Sequence, residues 1–296
     1  VNASPPGVAA HLIIGGREEP FLPALLASLE GVADLLLVND NRGDAPSVNA
    51  DVLAASSFAR ANRMIVDRAP FVNFADARNR VLALHREHAS GMWAAFVDAD
   101  DVHAPIARRI ARNLAQLPPE IAIVDAYTRH FLQSFRWYTS IERRMAFFRV
   151  TPEVRWEGIV HERLAGVAGR ALVIPYVYDH FGWVMPLERL AAKGRQYASL
   201  GQSGKTYTAE EAGALDPRVY FARRWKNALR YHGALPAAVT DLRDRFAYLD
   251  DTARTDAIIA DFQPPGTRLA NLVRHANFEY RWRGRALDPR ARALMR

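Results

Sequence analysis

Asp98-Ala99-Asp100 follows directly on the apolar run Trp93–Val97. Two carboxylates at i and i+2 beyond a strand end can face one cation when the turn bends them together. Oxygen donors of this kind suit Mg²⁺ or Mn²⁺, ions that complete their shells with water and phosphate oxygens. A cation held there would neutralise the charge that builds on a departing diphosphate. The alternative use is capping, with Asp100 or Asp101 at the start of the helix expected near Pro105. Three further acids, Glu18, Asp40 and Asp67, also stand just after short apolar runs, with Arg17 beside the first. Arg78 offers a forked donor set that fits either a phosphate or a structural carboxylate.

The elements that must carry these residues are legible from periodicity. His11–Ile14, Leu35–Val38, Met64–Val66 and Trp93–Val97 read as strands. Between them Phe21–Leu29 and Phe74–His85 carry helical spacing, and Pro105–Leu117 forms a third helix that stops at Pro118-Pro119. Strands alternating with helices over short connections predict an α/β parallel sheet covered on both faces. Ligands in such sheets bind beyond the carboxyl ends of the strands, which sets Glu18, Asp40, Asp67 and Asp98–Asp101 on one rim. Further on, Ile121–Phe131, Arg144–Val150, Ile159–Leu164 and Ala171–Tyr178 read as strands without long helices between them, so a mixed or antiparallel edge is expected. Beyond Pro186 the pattern is helical: Leu187–Leu200, Pro217–Tyr231, Pro236–Leu249, Thr252–Asp261 and Arg268–Arg283.

The 296 residues suffice for one large α/β domain and a helical appendage. No cysteine occurs, which excludes disulfides, thiolate metal sites and cysteine nucleophiles. No apolar run is long enough to span a membrane, and Val1–Ala10 has neither a basic n-region nor an apolar h-region. A cytoplasmic location is the default expectation, with peripheral membrane contact as an extension. Residues 185–296 hold 20 Lys and Arg against 12 Asp and Glu, while residues 1–184 hold 19 against 20. The basic excess therefore sits in the C-terminal third. There Arg268, Arg274, Arg281, Arg283, Arg285, Arg290, Arg292 and Arg296 are interleaved with Phe278, Tyr280 and Trp282. That composition suits a membrane interface or a polyanion, or simply a packed helix with solvated arginines.

Four segments resemble the family 2 glycosyltransferases. Phe74-Ala75-Asp76-Ala77-Arg78-Asn79 is similar to their F-x-x-A-R-N, and Trp93 to Asp101 to their W-x-x-x-x-D-A-D-E. Trp156-Glu157-Gly158-Ile159-Val160-His161-Glu162-Arg163-Leu164 resembles W-x-G-x-V-H-E-x-L, and His180-Phe181-Gly182-Trp183 resembles H-x-G-Y. The resemblance covers roughly residues 11–184. It implies a GT-A fold, a Rossmann-like mixed sheet that binds nucleotide sugars, over residues 8–184; the basic helical region over 185–296 lies outside the resemblance. It also implies inverting transfer from a nucleoside-diphosphate sugar, most often a UDP-sugar, with Mn²⁺ or Mg²⁺. Carried onto this chain, Asp98 approaches the ribose or the metal, Asp100 ligates the metal and His180 adds an imidazole. Arg17, Glu18, Asp40, Asp67 and Arg78 join Asp98 in donor binding.

An inverting transfer needs a general base. Glu162 is the candidate, with His161 beside it to orient it or to meet the diphosphate. Glu157 and Asp101 are the runners-up, and an ion pair to Arg163 or Arg144 is the alternative use of Glu162. Trp156 and Trp183 fit a sugar-stacking role or the core. The first loop reads Gly-Arg-Glu-Glu where the family more often has Lys-Asn-Glu-Glu, which leaves the donor open. The acceptor (a glycan, lipid, peptide or nucleic acid) is not specified by any residue.

No Gly-x-Ser-x-Gly elbow, Walker loop or Gly-x-Gly-x-x-Gly fingerprint occurs. Two other functions fit part of the sequence: a sugar nucleotidyltransferase, and a nucleic-acid- or membrane-binding protein acting through its basic C-terminal helices.

Overall fold

The computed structural model describes residues 7–159, 162–185, 189, 224–245, 252–284 and 288–296. The expected α/β class is what it shows. Strands β1 (Val8–Ile14), β2 (Leu35–Asp40) and β3 (Met64–Arg68) run parallel, as does β4 (Trp93–Phe96) beside β1. Helices α1 (Leu22–Ser28), α2 (Ala50–Ala54), α3 (Ser57–Arg60), α4 (Phe74–His88) and α5 (Ile106–Asn113) make the connections. The first and fourth strands are apolar on both sides because each has neighbours across both edges and helices over its faces. Ala94 and Leu12, for example, are fully buried.

The sheet then turns mixed. Its order is β3-β2-β1-β4-β7-β6-β10-β5, where β5 is Asp101–Val102, β6 Ile121–Phe131, β7 Trp137–Arg149 and β10 Arg170–His180. β7 lies antiparallel to β4, pairing Ala94 with Phe148. A separate antiparallel ribbon joins β8 (Arg155–Glu157) to β9 (Arg163–Ala165). The strand expected over Ile159–Leu164 is thus shorter: of its described residues only those from Arg163 are extended in a ladder. Gly158 at φ 105 explains the break, since that backbone region favours glycine and turns the chain out of β8. β7 starts at Trp137, seven residues before the expected Arg144.

By contacts the chain forms two compact units. One comprises Val1–Tyr127, Arg143–Tyr178 and Arg285–Arg296, and the other Thr128–Glu142 and Asp179–Gly284. The first holds the main apolar core, from Val8 to Trp93 and Phe147. Ala291 and Leu294 of the last helix, Pro289–Met295, also belong to that core. Asn113 on α5 anchors this helix by donating to the carbonyls of Ala293 and Leu294.

The second unit has its own core of Leu132, Trp225, Ala228, Ile258 and Ile259. Its helices include Ala237–Arg245, Thr252–Phe262 and Pro265–Gly284, close to expectation. The helix expected over Pro217–Tyr231 differs: within its described part the helix ends at Asn227, and Leu229–Arg230 (β11) pairs antiparallel with β7. The helix expected over Leu187–Leu200 lies outside the described residues apart from Arg189. No helix among the described residues is long and apolar enough to cross a membrane.

Candidate functional site

β4 delivers Asp98 and Asp100 to the carboxyl edge of the sheet. The chain turns at once after Val97, because the Asp101 N–H donates to the Asp98 carbonyl at 3.0 Å and the Asp98 N–H donates to Asp101 Oδ2 at 2.9 Å. Asp101 is fully buried and serves this turn. Neither Asp100 nor Asp101 caps α5, whose N-cap is Pro105 without a side-chain bond. The capping alternative is therefore not the one adopted.

Asp98 is gripped by two arginines. Arg78 Nη2 donates to Asp98 Oδ1 at 2.5 Å, and Arg144 Nη2 donates to Oδ2. Arg144 Nη1 also lies 3.5 Å from Asp101 Oδ1. Both guanidiniums sit over the Phe96 ring, 4.1 and 4.6 Å from its centre. Burial alone would pull the Arg144 pKa down, but Asp98, Tyr178 and Asp101 outweigh it and hold the group above its ordinary value. Its charge is therefore fixed at any working pH.

α4 explains how Arg78 arrives there. Asn73 caps that helix by accepting the Asp76 N–H at 2.8 Å, which sets its register. Ala75, Arg78, Val81, Leu82 and His85 then form the buried stripe. Arg78 thus occupies a core position, only 3 % exposed, and its five donors must find acceptors. Besides Asp98 it reaches the Val97 carbonyl at 3.3 Å and, through Nε, Glu162 Oε1 at 3.2 Å. Asn79 next to it clamps the Trp156 backbone, donating to its carbonyl and accepting its N–H at 2.9 and 2.8 Å. Three of the segments singled out in the sequence are thereby tied to one another by two adjacent side chains of α4.

Glu162 pairs with Arg78, not with Arg163 or Arg144. Glu157 is held on the ribbon by Arg155 and Arg163 at 2.7 and 3.3 Å. His161 lies outside the described residues. Trp156 is buried against Phe96 and Phe148, so it is core in this structure, and Trp183 lies under the Arg224 guanidinium.

His180 closes β10 and is 7 % exposed, with its ring edge-on to His130 at 4.8 Å. Asp98 and Asp100 each offer a carboxylate oxygen within 4.8 Å of the other. Two carboxylates are donors that Mn²⁺ and Mg²⁺ accept, and an imidazole such as that of His180 is one that Mn²⁺ takes more readily than Mg²⁺. Asp179 beside it pairs with Arg129 at 3.1 Å, and burial raises its pKa to about 6 against the pull of that arginine.

The remaining rim is held differently. Asn39, fully buried at the end of β2, donates to Asp67 Oδ2 at 2.8 Å. Asp40 accepts the Arg42 N–H at 3.3 Å, and Arg42 Nη1 reaches the Gly16 carbonyl. Arg17 and Glu18 are exposed, and the buried amide of Asn49 spans their loop, donating to the Arg17 carbonyl and accepting the Glu19 N–H. Under the aspartates, His103 Nδ1 lies 2.9 Å from Tyr176 Oη, and its ring stacks on Tyr178. Sequence reasoning missed Asn39, Asn49 and His103 as parts of this framework, since a single amide or imidazole carries no spacing signal, and it named Asn79 within its segment without giving it a role.

No family model and no curated protein matches this chain. Among solved structures it is similar to the mannosyltransferase PcManGT from Pyrobaculum calidifontis in complex with GDP-Man and Mn²⁺. The identity is 15 %, over 90 % of this chain and 86 % of that one, with a TM-score of 0.44. It is also similar to residues 1–349 of S. aureus TarS, at 13 % identity over 92 % of each chain, with a TM-score of 0.38.

Proposed function

We propose that this chain is a metal-dependent glycosyltransferase of GT-A architecture, resembling family 2, that takes a nucleoside-diphosphate sugar as donor. The observation that carries the reading is the pair of carboxylates, Asp98 and Asp100, brought together beyond β4, with Arg78 joining Asp98 to Glu162. Asp100 and His180 would be the principal ligands of a divalent ion. Asp98, with a guanidinium on each oxygen, suits a supporting role toward ribose or metal, because two fixed positive charges beside it oppose a third. When bound, the ion supplies neutralisation of the charge gathering on the diphosphate.

The residues of the chain divide the rest. Asp40, Asp67, Arg17 and Glu18 stand on the edge of the sheet where the nucleoside would lie. An acceptor hydroxyl oxygen attacks the anomeric carbon as its bond to the diphosphate oxygen breaks. The hydroxyl proton passes to Glu162, and the nucleoside diphosphate leaves with the bonding electron pair. Arg78 fixes one oxygen of Glu162 and so aims the other, and His161, next to it in sequence, is assigned to orienting Glu162 or meeting the diphosphate. The attack opposite the leaving group gives inversion. A UDP-sugar is the donor we favour, from the family resemblance, and a hexosyl group the cargo.

Calorimetric titration of UDP and then GDP, with and without Mn²⁺, on the native chain and on Asp100→Ala tests this. Binding of one nucleotide that needs Mn²⁺ and vanishes in the variant is expected. Failure of both nucleotides to bind under any metal condition would overturn the reading.

A further inference from the structure

The helix Pro265–Gly284 is packed the wrong way round for a helix that is finished with partners. Its neighbour in the chain, Thr252–Phe262, turns Ile258 and Ile259 into the core with Trp225. In Pro265–Gly284 the inward side is polar. Asn271 is 3 % exposed and donates to the Lys226 carbonyl at 2.7 Å, Arg274 donates to Asn227, and His275 lies 3.1 Å from the Tyr138 hydroxyl. The aliphatic residues point outward: Leu269, Leu272 and Val273 are 63, 59 and 55 % exposed. With Ala276, also exposed, they follow i, i+3, i+4, i+7 and form one stripe opposite Asn271. Arg268 and Arg281, both exposed, flank that stripe.

We infer that this face docks on an anionic membrane surface. A lone exposed leucine needs no explanation, but an aliphatic stripe at helical spacing on a helix whose polar side is buried does. Charge selects the occupant. Arg268, Arg274, Arg281 and Arg283 stand against Glu279 in this helix, within a C-terminal third that holds 20 basic against 12 acidic residues. A second copy meeting the same face would set arginine against arginine. Nucleic acid would answer the arginines and leave the leucines in water. A bilayer with acidic headgroups answers both, since the aliphatic stripe enters the headgroup boundary while long arginine stems reach back to phosphates.

The full chain should be sedimented with vesicles of phosphatidylcholine alone and of phosphatidylcholine with roughly a third phosphatidylglycerol. Strong partition to the anionic vesicles and weak partition to the neutral ones is expected. Leu269→Ser, Leu272→Ser and Val273→Ser together should lower the anionic partition about tenfold or more, with circular dichroism unchanged because these side chains lie at the surface. Arg268→Gln with Arg281→Gln should erase the preference for the anionic vesicles. No partition by the native chain, or equal partition by the serine variant, would overturn the inference. So would light scattering that shows a native dimer turned monomer by the serine substitutions, which would assign the face to a second copy.

Discussion

The two stretches of the carboxyl edge handle negative charge by different means. Beyond β2 and β3, Asp40 and Asp67 stand on separate strands and are met by neutral partners, the Arg42 N–H and the Asn39 amide. Beyond β4, Asp98, Asp100 and Asp101 crowd into four residues, and two guanidiniums, buried Arg78 and partly buried Arg144, are folded in against them. Spaced carboxylates do not repel one another, and one N–H donor orients each, even at Asp40, which is 2 % exposed. Crowded carboxylates repel each other and lose hydration, and the two guanidiniums offset much of that cost. The difference also separates roles. An amide-held carboxylate retains acceptor capacity for hydroxyl or ring N–H donors, as an ionised carboxylate offers about four lone-pair sites. An arginine-clamped carboxylate is fixed in direction, which suits it to setting the positions of its neighbours.

Arg78→Ala should break this contrast most severely. It strips countercharge from Asp98 and Glu162 together at a site 3 % exposed, and a loss of about 3–5 kcal/mol in urea unfolding is expected. Arg78→Lys keeps the charge but not the fork and should fall between. A loss under about 1 kcal/mol for Arg78→Ala would mean that the cluster beyond β4 needs no more countercharge than the rim beyond β2.

Acid should weaken the β4 side through its floor. Burial lowers the His103 pKa to about 4, against an ordinary 6.5, with Asp101 pulling it up and Arg144 down. Above pH 6.5 the ring is neutral in both folded and unfolded chains, so it costs nothing. As pH falls below 6.5 the unfolded chain takes up the proton first, and stability is lost until about pH 4, where the folded ring protonates too. The accumulated loss is about 3 kcal/mol. His103→Phe should flatten that part of the stability–pH curve, and an unchanged slope would place the sensitivity elsewhere, with the His11–His85 pair the next suspect. There His11 Nε2 lies 2.8 Å from His85 Nδ1, and burial likewise lowers the pKa of both rings.

On the rim side, Asn49→Ala should cost about 1–3 kcal/mol, because it removes the side-chain bonds to the Arg17 carbonyl and the Glu19 N–H. Nucleotide affinity should fall with it if that loop meets the nucleoside, and a stability loss without an affinity change would remove the loop from the donor site. The smallest effect on stability is expected from Asp100→Ala, under about 1 kcal/mol for a half-buried acid relieved of repulsion from its neighbours. In the native chain Mn²⁺ should raise the unfolding temperature, and in this variant it should not. An equal rise in both would place the ion away from Asp100.

Much of the frame was legible before any coordinates. The four parallel strands, the helix carrying Ala77-Arg78-Asn79 and the acidic turn after Trp93–Phe96 follow from apolar periodicity and turn chemistry, which are local properties. The ribbon from β8 to β9 was less legible, because it is three residues long on each side and its register depends on Asn79 of a distant helix. β11 was misread as helix, since two residues paired with Tyr138 and Trp137 override helical propensity only once β7 is beside them.

The sequence by itself determined which residues could do chemistry: acids after strands, a forked cation on α4, a histidine at a strand end. Only the tertiary structure decided what they do to one another. Arg78 and Asp98 are 20 residues apart, Arg144 and Asp98 are 46 apart, and Glu162 lies 84 beyond Arg78. Ion pairing depends on distance and burial, and neither is written in spacing along the chain once strands from both ends of the sheet are interleaved. The same holds for Leu269, Leu272 and Val273, a stripe that sequence reasoning did not single out. Whether that stripe faces core or solvent was settled by Asn271, His275 and Arg274, which find their partners on the other side.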